Sequence, residues 1–336
     1  MAHEELLESL LAGDHSQGHA LSRDFLRSTL EFAERYAKLE KLLFGGTRVA
    51  YSSAALAVDL TIPGDMAQQG EHLADAERVR FGLAAGPILE LGWLVEDQGI
   101  KIIPQSFPDG TAARGGFFFD SQLGPCILVD AEATAVQRDY VIAHQYGHFL
   151  ADYDPYIATL CGHPGPDTLA DPRELRAHSF ALAFLAPRTD LETYRKAMGF
   201  VEGSEVTADF VRQLQVYFAL DFETVFLRLL SLGWIDARQM EMLLRDNPDF
   251  SAAVDVDRMD ADERLSFLGL PERFVHLVAS GFGRGLLELE DAAEYLDTDV
   301  DGARHILEQF HYEEPSAQQP PPRSAKGRRP DRPNVN

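Results

Sequence analysis

Val141-Ile-Ala-His-Gln-Tyr-Gly-His-Phe-Leu150 sets two histidines four residues apart in a run that reads as helix. On an α-helix, residues i and i+4 lie about 40° apart on one face. His144 and His148 can therefore aim both imidazoles at a single metal ion. This is the spacing of the H-E-x-x-H zinc helix, but the position that carries the glutamate base in that motif is Gln145. Two histidines at this spacing also occur on helices that bind nothing, so a third ligand and a suitable setting decide the matter.

On the N-terminal side, Ile100-Lys-Ile-Ile103, Gly116-Phe-Phe-Phe119 and Cys126-Ile-Leu-Val129 are short β-rich runs separated by Pro, Gly and Asp turns. They predict a small antiparallel sheet that ends at Asp130, with the histidine helix running from about Thr134 to Leu150. On the C-terminal side the chain turns irregular, and Asp171-Pro172 starts a new helix: an Asp N-cap followed by Pro in the first turn is a strong start signal. Pro187 stops that helix. Most of its residues are apolar and belong to a core, but Glu174 and His178 share one face at i,i+4. Glu174 lies 26 residues after His148. A His-His-carboxylate set leaves tetrahedral zinc one open position, the arrangement of a catalytic rather than a structural site. The predicted metal ligands are His144, His148 and Glu174. In the intervening loop, Asp152, Asp154, Cys161 and His163 stand among Gly and Pro and read as solvated turn residues.

Taken together, these parts resemble the ImmA/IrrE family of zinc metallopeptidases. That family carries an H-E-x-G-H-type motif after a small sheet, then a helix of pattern E-x-x-A-N-x-F-A-x-x-L-L-M-P. The matching stretches here are His144-Gln-Tyr-Gly-His148 and Glu174-Leu-Arg-Ala-His-Ser-Phe-Ala-Leu-Ala-Phe-Leu-Ala-Pro187, with Ala177, Phe180, Ala181, Leu185 and Pro187 in register. The resemblance covers about residues 70–190. It implies zinc as cofactor, which borderline-soft imidazole ligation also favours over iron or manganese. It implies site-specific endopeptidase activity on a helix-turn-helix transcriptional repressor, relieving repression after DNA damage or in another stress or mobile-element response. By position, Gln145 occupies the place of the glutamate that in active relatives serves as general base and later protonates the leaving amine. Losing such a group commonly removes about 10²–10⁴ in rate while sparing metal ligation. Two explanations follow: a peptidase inactivated at Gln145, or a pseudo-peptidase that acts as metal-binding sensor or adaptor and holds a regulator without cutting it. His178 stands where the family usually has Asn. One turn from Glu174, it is placed to hydrogen-bond the ligand carboxylate, to lend a proton or oxyanion donor, or merely to line the cleft.

Length and composition frame this domain. At 336 residues and 45% hydrophobic content the chain can build more than one core. The expected organisation is an N-terminal helical segment and linker (1–69), a metallopeptidase domain (70–200), a helical, helix-turn-helix-like region (201–312) and a basic Pro-rich disordered tail (313–336), an α+β protein with zincin-like helices and a mainly helical C-terminal part. Leu21 to Phe44 reads as one amphipathic helix, capped by Ser22 and stopped by Gly45-Gly46. It resembles the tail end that follows a DNA-binding domain in longer relatives, which makes a separate repressor the DNA-reading partner. Val206–Leu220 and Phe222–Leu232 form a helical pair closed by Gly233-Trp-Ile-Asp236. The formal charge of −24 argues against broad DNA binding by the whole protein and leaves the basic tail as the place for it. No run of about 18 apolar residues and no leader pattern is seen, so a cytoplasmic protein without a membrane span is expected. Two cysteines, Cys126 and Cys161, suit a reducing compartment and make no disulfide framework.

Overall fold

The computed structural model describes residues 22–45, 65–108, 113–152, 159–162, 168–200, 205–251 and 269–309. Residues 1–20, the stretch 47–64 of the expected linker, and the basic tail lie outside the described residues. The fold is α+β, mainly helical with one small sheet.

Four strands build that sheet: β1 (Lys101–Gln105), β2 (Ala113–Asp120), β3 (Gly124–Asp130) and β4 (Thr159–Gly162), in the order β1-β3-β2-β4. β2 is antiparallel to both β3 and β4, but β1 is parallel to β3. The sheet is therefore mixed, not antiparallel as the three runs suggested. The cause is a skipped place: the chain leaving β1 passes over one strand position before forming β2. A tight turn, with Asp120 Oδ1 accepting from the Gln122 and Leu123 amides at 2.7 and 3.0 Å and Gly124 at φ 81°, then folds β3 back between them.

Side chains alternate across a strand, and here both sides are covered. Ile103, Phe118, Cys126 and Leu128 face helix α1 (Arg23–Phe44), packing with its Phe25, Leu26, Leu30 and Ala33. Ile102, Phe117, Ile127 and Val129 face the opposite way, into the core built by α4 (Ala135–Ala151). Burial on both faces is why the strands read as near-continuous apolar runs. Ser22 and Gly45 cap α1 as its sequence indicates, and its apolar stripe is core.

Helix α5 (Pro172–Leu185) is gripped between α4 and α2 (Met66–Phe81), and glycine makes both contacts possible. A Cβ on Gly147 would sit 3.0 Å from the Phe180 ring and 3.3 Å from Ala177 Cα. A Cβ on Gly70 would lie 2.4 Å from the Arg176 carbonyl oxygen, a backbone atom that cannot swing aside. Two buried guanidinium groups meet the C-terminal carbonyls of α5: Arg78 donates to Phe184 O at 2.7 Å and Arg228 to Ala186 O at 2.8 Å. Cations at this end complement the helix dipole.

Helices α6 (Arg188–Ala197), α7 (Ala208–Phe218), α8 (Phe222–Ser231) and α9 (Ala237–Asp246) follow. Phe210, Val211, Leu214, Phe226 and Leu229 belong to the same core as α4 and α5, so packing continues across residue 200, where a domain limit was expected. Ala219, in the left-handed conformation at φ 51°, joins α7 to α8 as a hairpin. Helices α10 (Glu272–Gly283), α11 (Leu289–Tyr295) and α12 (Val300–Gln309) pack instead on Tyr36, Leu39 and Leu43 of α1.

A buried charge network ties these parts together. Glu40 on α1 pairs with Lys101 Nζ of β1 at 2.9 Å and with Arg273 of α10 at 2.7 Å. Arg273 also donates to the Tyr36 hydroxyl at 2.9 Å, which donates to Glu96, at the end of α3 (Leu91–Glu96), at 2.8 Å. Burial pushes the Glu96 carboxyl up to about 7, against the opposing hydrogen bond from Tyr36 and the charge of Arg273. Among the described residues, no helix is long and apolar enough to cross a membrane.

Two outcomes follow from this packing. Because the folded carboxyl of Glu96 titrates higher than the unfolded one, its contribution to stability is complete below about pH 4.5 and is lost as pH rises through about 7. Glu96→Gln should therefore gain stability relative to the parent between pH 5 and pH 8, measured by denaturant unfolding at both pH values; an equal difference at the two would contradict the burial argument. Gly70→Ala should destabilise by about 1–3 kcal/mol, the usual range for overpacking, and a neutral Gly70→Ala would show that α2 does not lie hard against α5.

Candidate metal centre

Helix α4 starts directly after β3 with a capping box: the Thr134 amide donates to Gln137 Oε1 at 3.0 Å and the Gln137 amide to Thr134 Oγ1 at 3.4 Å. This fixes the phase of the helix. Its second half, Ile142 through Leu150, is buried. Gly115 of β2 lets the helix come close, since a Cβ there would fall 2.3 Å from Val141 Cγ1. On the other flank, Gly147 admits α5, whose first turn carries Glu174. The two helices thus bring together the residues that the sequence singled out.

His144 Nε2 and His148 Nε2 lie 3.2 Å apart. Glu174 Oε2 is 3.2 Å from His144 Nε2, and Oε1 is 3.3 Å from His148 Nε2. A fourth donor, unexpected from the sequence, is Cys161: its Sγ is 3.5 Å from His148 Nε2 and 3.3 Å from Glu174 Oε1. One donor atom from each of the four residues falls within 4.8 Å of all the others. Ligands at about 2.0–2.3 Å from a tetrahedral ion are separated from one another by about 3.3–3.8 Å. The neighbouring donors, 3.2 to 3.5 Å apart, lie near that figure and the whole set falls within 4.8 Å, so this cluster could hold a metal ion.

Asp152 is likewise not the solvated turn residue it was expected to be. Its Oδ2 meets His148 Nδ1 at 2.9 Å, and Arg176 holds its other oxygen. A carboxylate behind a histidine fixes the ring so that Nε2 points at the ion. His148 is at i,i+4 from Asp152 on the last turn of α4, and Asp152 caps that turn. Asp154 and His163 lie outside the described residues.

Charge is balanced within the cluster. Burial most strongly opposes a charged His148, yet Cys161, Asp152 and Glu174 together raise it well above the ordinary histidine value. His144 is raised too, against burial, by Cys161 and Glu174. Burial would push Cys161 and Glu174 up, but the two histidines hold the thiol below its usual range and the carboxyl far below its own. The pattern is a pair of anions facing a pair of positions that want positive charge, which a divalent ion satisfies while displacing the protons.

Gln145 follows His144 on the helix, and its Nε2 stands beside Gly115 of β2, 3.6 Å from where a Cβ there would lie. It is 1% exposed and its Oε1 has no hydrogen-bond partner among the described residues. His178 does not use Nδ1 on Glu174: that nitrogen meets the Tyr140 hydroxyl at 2.7 Å. Burial raises Tyr140 well above the ordinary phenol range, so it keeps its proton. The Tyr140 and His144 ring centroids are 5.9 Å apart, which places His178 one residue away from the cluster. A cleft of about 400 Å³ opens beside Tyr140 and Val141, bordered by Arg114, Arg138, Asp130 and Glu223.

Residues 95–229 match the family model Peptidase_M78, the IrrE N-terminal-like domain. The central domain belongs to this family. The resemblance drawn from the two motifs is thereby borne out, and the IrrE-like domain takes in the whole cluster, the sheet and helices α4 to α8. No curated protein matches the chain. Among solved structures, the chain is similar to a Mycobacterium tuberculosis transcriptional regulator at 18% identity and a TM-score of 0.32, over 61% of this chain and 54% of that one. The match thus spans about half the length of that protein.

Proposed function

We propose that the chain is a zinc-holding member of its peptidase family that binds a helix-turn-helix repressor without cutting it. The observation that carries this reading is Gln145, a buried neutral amide in the position of the general base. Its amide takes no proton at neutral pH, and absence of a positioned base commonly costs about 10²–10⁴ in rate. The donor set remains complete. His144, His148 and Glu174 are the ligands that the resemblance implies, and imidazole with carboxylate suits zinc. When bound, zinc supplies a Lewis acid and a fixed charge. The partner class is supported by the resemblance of residues 144–187 to the ImmA/IrrE family, and a stress-responsive, cytoplasmic setting goes with it.

A second reading, an endopeptidase disabled only by glutamine in place of glutamate, is favoured by one specific observation. The support of the site is intact: Asp152 still orients His148, and Arg176 still holds Asp152.

Both readings share a metal, and its retention is measurable. The zinc-loaded chain mixed with the repressor encoded nearest to its gene should give a stable complex with the repressor intact on mass analysis. Cleavage by the chain as it stands, abolished by a chelator, would overturn the non-cutting reading. Asp152→Ala should weaken zinc binding about 10–100-fold in competition with a chromophoric chelator; unchanged affinity would remove Asp152 from the support of the site.

A further inference from the structure

We propose that Cys161 is the fourth protein ligand of the metal centre, and that the centre is closed, with no coordination position left open. This rests on the reading above that His144, His148 and Glu174 hold a metal ion.

The register of β4 places the thiol. Cys161 pairs with Gly115 and Leu160 with Gly116 on β2. Neighbouring residues of a strand face opposite ways, and Leu160 packs into the layer beneath α1. Cys161 must then face the helices that bear the histidines. A slip of one residue would put a leucine into the site and the thiol under α1. Gly115 has no side chain to crowd its partner, and the pairing of β2 with β4 shifts between Ala113 and Gly115, as at a bulge that re-aims a strand.

Chemistry agrees with the placement. The thiol is 4% exposed, and the groups its sulfur meets are metal-binding donors, His148 and Glu174. Two neutral imidazoles, one thiolate and one carboxylate sum to −2, which neutralises a divalent ion in a buried site, whereas the set without the thiolate leaves one uncompensated positive charge. Closed four-ligand sets are the mark of structural zinc, and catalytic zinc keeps an open position. Closure also accounts for Gln145: a general base has no use where no position is open for the group it would activate. Two departures from a hydrolytic site, on different elements of the fold, thus point the same way.

The test uses the full-length chain loaded with Co(II) as probe. The parent protein should show a thiolate-to-cobalt charge-transfer band in the near ultraviolet and the intense visible bands of four-coordinate cobalt. Cys161→Ser should lose the charge-transfer band and hold zinc at least about tenfold less tightly in chelator competition, with an unchanged circular dichroism spectrum. Cobalt bound by the parent without that band, or a band that persists in Cys161→Ser, would overturn the ligation and leave the His144, His148 and Glu174 reading standing. No cobalt bound by the parent at all would overturn both. The parent spectrum decides the matter even if Cys161→Ser does not fold.

Discussion

The close crossing of α4 and α5 at Gly147 is the contact on which the centre depends. A side chain at that position would meet the Phe180 ring and Ala177, and the first turn of α5 would be held away from the histidines. Glu174 sits in that first turn, within 3.2 and 3.3 Å of the two Nε2 atoms, so moving the helix outward draws the carboxylate away from both rings. The same helix is held from behind by α2 through Gly70 and at its carbonyl end by Arg78 and Arg228. A site assembled from side chains on rigid, mutually packed elements keeps its geometry without a ligand present, which is the condition for binding a metal without a large cost of ordering.

The sheet contributes the other side of the cluster. Its two covered faces separate the molecule into a layer under α1 and a layer with α4 and α5, and β4 gives Leu160 to the first and Cys161 to the donor cluster beside the second. The network of Glu40, Lys101, Arg273, Tyr36 and Glu96 locks α1 and the C-terminal helices to the sheet from the far side. Buried charges of this kind add little net stability, but removing one partner leaves another stranded. They fix which surfaces meet, and hence hold β1 and, through it, the sheet that carries Cys161.

What was legible in the sequence follows from how local each signal is. Helices α1, α4 and α5 announce themselves through period and caps: Ser22, Thr134 and Asp171 all accept from the first turns they precede. His144 and His148 were legible from their i,i+4 spacing on one helix, and Glu174 from its place in the capped first turn of the next one and from the family resemblance. The sheet direction was not, because strand order depends on how the chain after β1 routes itself rather than on the strands. Cys161 was missed for a related reason. A strand of four residues shows no period, and which of Leu160 and Cys161 faces the site is set by pairing with β2. Asp152 looked like a turn residue because it ends the helix; its i,i+4 spacing from His148 was the signal that could have found it. The guanidinium caps on α5 come from residues distant in the chain, and no local pattern marks them.

As proposed above, a closed centre together with glutamine at the base position would make this a domain with the architecture of a peptidase family whose metal holds structure. Zinc K-edge X-ray absorption of the zinc-loaded protein tests this most directly. The account predicts a four-coordinate ion with one sulfur at about 2.3 Å and three nitrogen or oxygen ligands at about 2.0–2.2 Å. A spectrum with only light-atom ligands would contradict it.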